Sequence, residues 1–138
     1  MTQFYNHQAF TDLNDSQKEA VKYLDGPLLV LSGAGTGKTR VLTARLANLL
    51  YSNKTKPWNI LAVTFTNKAA KEMRIRLESL IGPSANSVWL GTFHSIAARI
   101  LRENAEVVGL NSNYTTVNHQ NQQNLKLLIL TGKFYIYL

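Results

Sequence analysis

An α/β fold, with a mostly parallel sheet and crossover helices on both faces, is predicted from three features of the sequence. Short, largely apolar runs ("LLVL", "ILAVTF", "VWLGTF") alternate with longer stretches of helical periodicity. These runs are apolar on successive residues, as expected of strands buried on both faces. A glycine-rich turn joins the first run directly to a helix, and no internal repeat or low-complexity linker interrupts the order.

Each element follows from local chemistry. "LNDSQKEAVKYL" reads as a helix capped by Asn14, with Gln17 three positions later as in a capping box. Leu13, Ala20, Val21 and Leu24 supply its apolar face, and Gly26-Pro27 stops it. Leu28 to Leu31 is the first expected strand. Thr39 to Tyr51 forms the next helix, packing through Val41, Leu42, Leu46, Leu49 and Leu50. "ILAVTF" is the second strand, followed by a helix capped by Asn67 and ended by Gly82-Pro83. "VWLGTF" is the third strand, and a further helix begins near Ser95. Beyond Gly109 the expectations are an extended piece at Thr115 to Val117, a helix from about Gln120 to Leu130, and a strand-like end, "KFYIYL".

Composition narrows the function classes. At 138 residues the chain is one domain in size, and 45% apolar content argues against wholesale disorder. The net charge of +7 is compatible with a basic soluble surface or with a nucleic-acid footprint. Cysteine is absent, which excludes thiolate metal sites and cysteine nucleophiles. His7, His94 and His119 have no ligand-like spacing. The amino terminus lacks a signal-peptide pattern, and no apolar run approaches membrane-spanning length, so a cytoplasmic location without membrane contact is expected. The last acidic residue is Glu106, and the composition changes character there.

The strongest chemical signal is "SGAGTGKT". It departs from the strict phosphate-loop pattern only at its first position, Ser32. Gly33, Ala34, Gly35, Thr36 and Gly37 are small enough for backbone N–H groups to converge on an anion at the start of a helix. Lys38 then reaches the terminal phosphates, and Thr39 offers a hydroxyl to magnesium held by the nucleotide. The fold class is therefore read as a P-loop NTPase, with ATP and Mg2+ as expected cofactors.

"LNDSQKEAV", "SGAGTGKTRVL", "LAVTFTNKAAKEMRIRL" and "GTFHSIAARILR", in this order, resemble the amino-terminal ATPase domain of UvrD/PcrA/Rep-type superfamily 1 DNA helicases over about residues 10 to 110. The resemblance implies an incomplete RecA-like domain over 1–110 and the start of an inserted helical subdomain over 111–138. It implies that Gln17 reads adenine and that Arg40 packs on the adenine ring. It further implies that Thr64, Phe65, Thr66 and Asn67, with Thr92 and His94, contact single-stranded DNA. Alternative roles are local: a capping Gln17, a solvated Arg40, a core Phe65 and a structural His94.

Motor ATPases also need acidic residues for magnesium and for the attacking water. "ILAVTF" and "VWLGTF" end without one, and Glu72, Glu78, Glu103 and Glu106 fall in expected helices. The expected function is thus the amino-terminal portion of an ATP-dependent 3′–5′ DNA helicase, inert or nearly so in hydrolysis by itself. A complementary helicase fragment is an expected partner. The alternatives are a non-enzymatic nucleotide or nucleic-acid binding module, an inactive gene remnant, and a small phosphate-loop kinase or GTPase, against which the acid-free strand ends count.

Overall fold

The computed structural model describes residues 4–111 and the backbone of 135–137. The expected helix over 120–130 and extended piece at 115–117 lie outside the described residues. A short 3-10 turn (Phe4–Asn6) and α1 (Gln8–Thr11) lead into α2 (Asp15–Lys22). After the glycine-rich loop come α3 (Lys38–Tyr51), β1 (Ile60–Thr64), α4 (Asn67–Ile81), β2 (Trp89–Thr92), α5 (Phe93–Glu103) and β3 (Tyr135–Tyr137). Among the described residues no helix is long and apolar enough to cross a membrane.

The sheet is three-stranded in the order β2-β1-β3, and both pairings are parallel. Leu61 opposes Trp89 on one side and Ile136 on the other. All five residues of β1 are buried, because helices cover both faces of the strand. Ile60 and Ala62 face a core shared with Leu46, Met73, Leu77 and Leu90. Leu61 and Val63 face Ile96 of α5. Successive side chains of a strand point to opposite faces, so a two-sided core calls for an unbroken apolar run.

Two arginines tie the periphery to this sheet. Arg74 of α4 donates from Nη2 to the Leu90 carbonyl at 2.9 Å and from Nη1 to the Ala85 carbonyl at 3.3 Å. Arg99 of α5 lies 4.1 Å over the Trp89 ring and pairs one turn on with Glu103 at 2.9 Å.

A second cluster joins Phe4, Phe10, Leu13 and Val21 to Val41, Ala44 and Ala47 of α3. Phe4 stacks on Tyr51 at 5.5 Å. Buried Asn48 donates from Nδ2 to the Val21 carbonyl at 3.0 Å, joining the end of α2 to α3. The amino-terminal aromatic residues are therefore core, a role with no periodic signal in so short a segment.

The expected first strand is corrected. Leu28–Leu31 enters no ladder with the described strands, and Leu29 and Leu31 are 80% and 84% exposed. Both edges of β1 are taken, one by β2 and the other by β3 at the strand-like end of the chain. A parallel strand is held by its edge partner and by cover on both faces; among the described residues this segment has no strand partner, and Leu29 to Leu31 are exposed. Smaller corrections concern boundaries. Thr66, not Asn67, caps α4, accepting from the Ala69 N–H at 3.1 Å. Thr92 caps α5, which begins at Phe93 and not near Ser95. The helix begun after Asn14 ends at Lys22.

Candidate functional site

The glycine-rich loop sits between the exposed Leu28–Leu31 segment and α3. Gly35 and Gly37 have φ of +73° and +82°, in the left-handed region where a side chain is strained. Gly37 has a second constraint, since a Cβ there would come within 3.2 Å of Gln17 Nε2. Residues 32–36 are exposed. Thr36 Oγ1 donates to the Gly33 carbonyl at 2.7 Å, and Lys38 Nζ donates to the Ser32 carbonyl at 3.1 Å. The lysine ammonium is thus folded over its own loop.

Gln17 completes the capping box on α2. Its Oε1 accepts from the Asn14 N–H at 3.0 Å, while the Asn14 side chain accepts from the Gln17 N–H at 2.9 Å. Its Nε2 donates to the Thr36 carbonyl at 3.0 Å, so one amide links α2 to the loop. Arg40 meets Asp12 at 3.4 Å, with both side chains about half exposed. Thr39 is half-buried in the first turn of α3, and its carbonyl accepts from Thr43 Oγ1 at 2.9 Å.

The second set of residues lies at the carboxyl ends of β1 and β2. Thr64 and Thr92 occupy paired positions in the ladder and are each 8% exposed. Thr64 Oγ1 donates to the Thr66 carbonyl at 3.0 Å, and Thr92 Oγ1 accepts from the Ser95 N–H at 3.2 Å. These hydroxyls shape the turns into α4 and α5. Phe65 is 89% exposed, which removes the core role open to it in the sequence. Its ring meets that of Phe93 at 5.5 Å with the planes tilted by 55°. Asn67 and His94 are exposed in the first turns of α4 and α5.

A cavity of about 910 Å3 runs from the loop to the end of β1, and Arg40, Asn67, Thr92 and His94 are not among its described lining residues. Ser32, Thr36, Lys38 and Thr39 line it from the loop, and Thr64, Phe65 and Thr66 from the strand end. Gln17 and the buried Arg45 of α3 also face it, and no Asp or Glu lies among its described lining residues. Backbone N–H groups, a lysine and hydroxyls suit an anionic phosphate. They do not suit a magnesium ion held by protein alone, since hard cations need several oxygen ligands.

Comparison with known proteins identifies the family. The UvrD/REP helicase N-terminal domain is matched over residues 13–134. The chain belongs to the UvrD/REP helicase family. It is 50% identical over 119 residues to the ATP-dependent DNA helicase PcrA of Bacillus subtilis, which covers 86% of this chain and 16% of that protein. It is also 50% identical over 114 residues to the Staphylococcus epidermidis protein of the same name, covering 83% of this chain and 16% of the relative. The Staphylococcus aureus counterpart is 49% identical over 113 residues, with shares of 82% and 16%. The chain thus spans a small part of the length of these relatives.

Sequence reasoning missed Asp12 and Phe93 as neighbours of the site. Phe93 stands inside "GTFHS" but was read as the last residue of a strand. Asp12 carries no local signal, because its partner Arg40 is distant in the chain.

Proposed function

We propose that this chain is the ATP- and single-strand-binding amino-terminal portion of a 3′–5′ DNA helicase. The supporting observation is the one cavity shared by the phosphate loop and the end of β1. In this reading Ser32 to Thr39 hold the nucleotide phosphates. Lys38 exchanges its Ser32 carbonyl partner for phosphate oxygens, and the Thr39 hydroxyl faces the magnesium that the nucleotide brings. When bound, that magnesium supplies charge neutralisation at the phosphates. Gln17 and Arg40 flank the adenine. Thr64, Phe65, Thr66, Asn67, Thr92 and His94 form the strand-binding end, where phosphate contacts position and ring stacking tolerates any sequence.

The same reading divides the chain at residue 110, with 111–138 beginning a helical subdomain inserted in the domain, while within that span Tyr135–Tyr137 pairs with β1 of the sheet. It places the protein with DNA in the cytoplasm. A complementary segment carrying the rest of the helicase is its partner for unwinding. By itself the chain does not hydrolyse ATP, since no carboxylate lies among the described residues facing the cavity to serve metal or water. A second reading, a binding module or inactive remnant, draws on the Leu28–Leu31 segment, which reaches the phosphate loop without pairing with any described strand.

The experiment is a titration of a non-hydrolysable magnesium-ATP analogue into the wild-type chain and Lys38→Ala. Saturable binding weakened at least about tenfold in the variant, at an unchanged melting temperature, is the expected result for loss of a charge-assisted phosphate contact. Equal binding by both proteins would remove the phosphate loop from the nucleotide site. Hydrolysis by wild type that rises with added single-stranded DNA would overturn the claim of inertness.

A further inference from the structure

The aromatic pair at the sheet's carboxyl end carries an assignment beyond the residues named so far. Phe65 is the most exposed of the large apolar side chains described, at 89%. Phe93 is 37% exposed and belongs to the neighbouring turn. The two residues follow Thr64 and Thr92, which are paired across the β1–β2 ladder. The backbone register therefore delivers two phenyl rings to the same end of adjacent strands.

We propose that Phe93 is a positioning residue that props the Phe65 ring for stacking on one unpaired nucleobase. The inference rests on the single-strand reading above. Folding gains little from an almost fully exposed phenylalanine, so the burial argument for that residue type is missing. A free surface ring samples several rotamers and loses that freedom when a base stacks on it. Contact with a partly buried neighbour reduces the loss, which is preorganisation in its simplest form. The rings meet at 5.5 Å with a 55° tilt, within the edge-to-face range, and this leaves a face of Phe65 open. A base in a duplex has its faces covered by its neighbours, so the ligand that fits an open ring is a single strand.

Phe93 differs from the polar members of the set in what it touches. Thr64, Thr66 and Thr92 have hydroxyls engaged in their own turns. Their contribution to a strand would fall on its phosphates, whereas the ring pair acts only on a base. A probe that separates base from backbone therefore isolates it.

The test measures affinity of the full chain for a labelled oligothymidylate and for an abasic strand of equal length. Proteins compared are wild type, Phe65→Ala, Phe93→Ala and Phe93→Leu, each with its melting temperature. Wild type is expected to prefer the base-bearing strand by about tenfold, the scale of one stacked base. Phe65→Ala should bring that ratio close to one. Phe93→Ala should lower it at least about threefold while the melting temperature holds. Phe93→Leu preserves apolar bulk and carries the test if the alanine variant melts early; it should lower the ratio too. A wild-type ratio of one, or an unchanged ratio in Phe93→Leu, overturns the assignment while leaving phosphate-based strand binding intact. Failure of wild type to bind either strand overturns the single-strand reading itself.

Discussion

The phosphate loop and the strand-end region carry motifs of equal clarity, yet they are held in different ways. Thr64 and Thr92 stand at the ends of paired strands, over a core closed by helices on both faces. The loop follows an apolar segment that joins no described ladder, and residues 32–36 are exposed. Its order comes from its own carbonyls and from Gln17, through Lys38 to Ser32, Thr36 to Gly33 and Gln17 to Thr36. The difference teaches that a motif's residues specify local geometry, while the rigidity of that geometry depends on what the flanking chain is packed against. Exposed hydrogen bonds open at low free energy, and buried ladders open with the whole domain.

Three substitutions would break or sharpen this contrast. The largest effect is expected from Leu77→Ala, which empties a fully buried position beneath β1. It should cost about 2–5 kcal/mol in urea denaturation. Amide exchange should accelerate in β1 and β2 more than in the exposed loop, whose amides are expected to exchange fast in the wild type as well. Equal acceleration in the loop would place both regions on one cooperative unit.

Asn48→Ala addresses the other side. The substitution leaves the Val21 carbonyl without its 3.0 Å donor in a buried setting, at an expected cost of about 1–3 kcal/mol by thermal melting. Because α2 carries Gln17 to the loop, nucleotide-analogue affinity should fall in the same variant. Unchanged affinity would show that the loop keeps its shape without α2.

The smallest effect belongs to Asp12→Asn. The Asp12–Arg40 pair is about half exposed at 3.4 Å, and such pairs contribute about 0–1 kcal/mol, screened by salt. Analogue affinity should move by less than about threefold, and the difference should vanish in concentrated salt. A larger, salt-independent change would mean that Asp12 fixes the Arg40 orientation in the bound state.

Much of the fold was legible because its causes are local. The Asn14–Gln17 capping box lies within one helical turn, and both its hydrogen bonds form. The apolar faces of α2 and α3 follow helical periodicity, and Val21, Leu46 and Leu49 are buried as expected. Family membership was equally legible, since four short motifs in order survive in the linear chain. The adenine, phosphate and strand-binding roles remain proposals; Gln17, Ser32, Thr36, Lys38, Thr39 and Thr64 to Thr66 line one cavity, whereas Arg40, Asn67, Thr92 and His94 are not among its described lining residues.

What the sequence by itself determined is helices α2 to α5, strands β1 and β2 and the glycine-dependent turns, all governed by backbone preference and neighbours a few positions away. Tertiary structure alone decided which apolar run became a strand. Leu28–Leu31 and Tyr135–Tyr137 are both short and β-compatible, and only the latter pairs with β1. It also decided that Phe4 is core, that Phe65 is bare, and that Phe93 and Asp12 stand beside the candidate site. The physical reason is the same in each case: strand pairing, burial and charge contact are made with partners far along the chain, and periodicity in a short window carries no record of them.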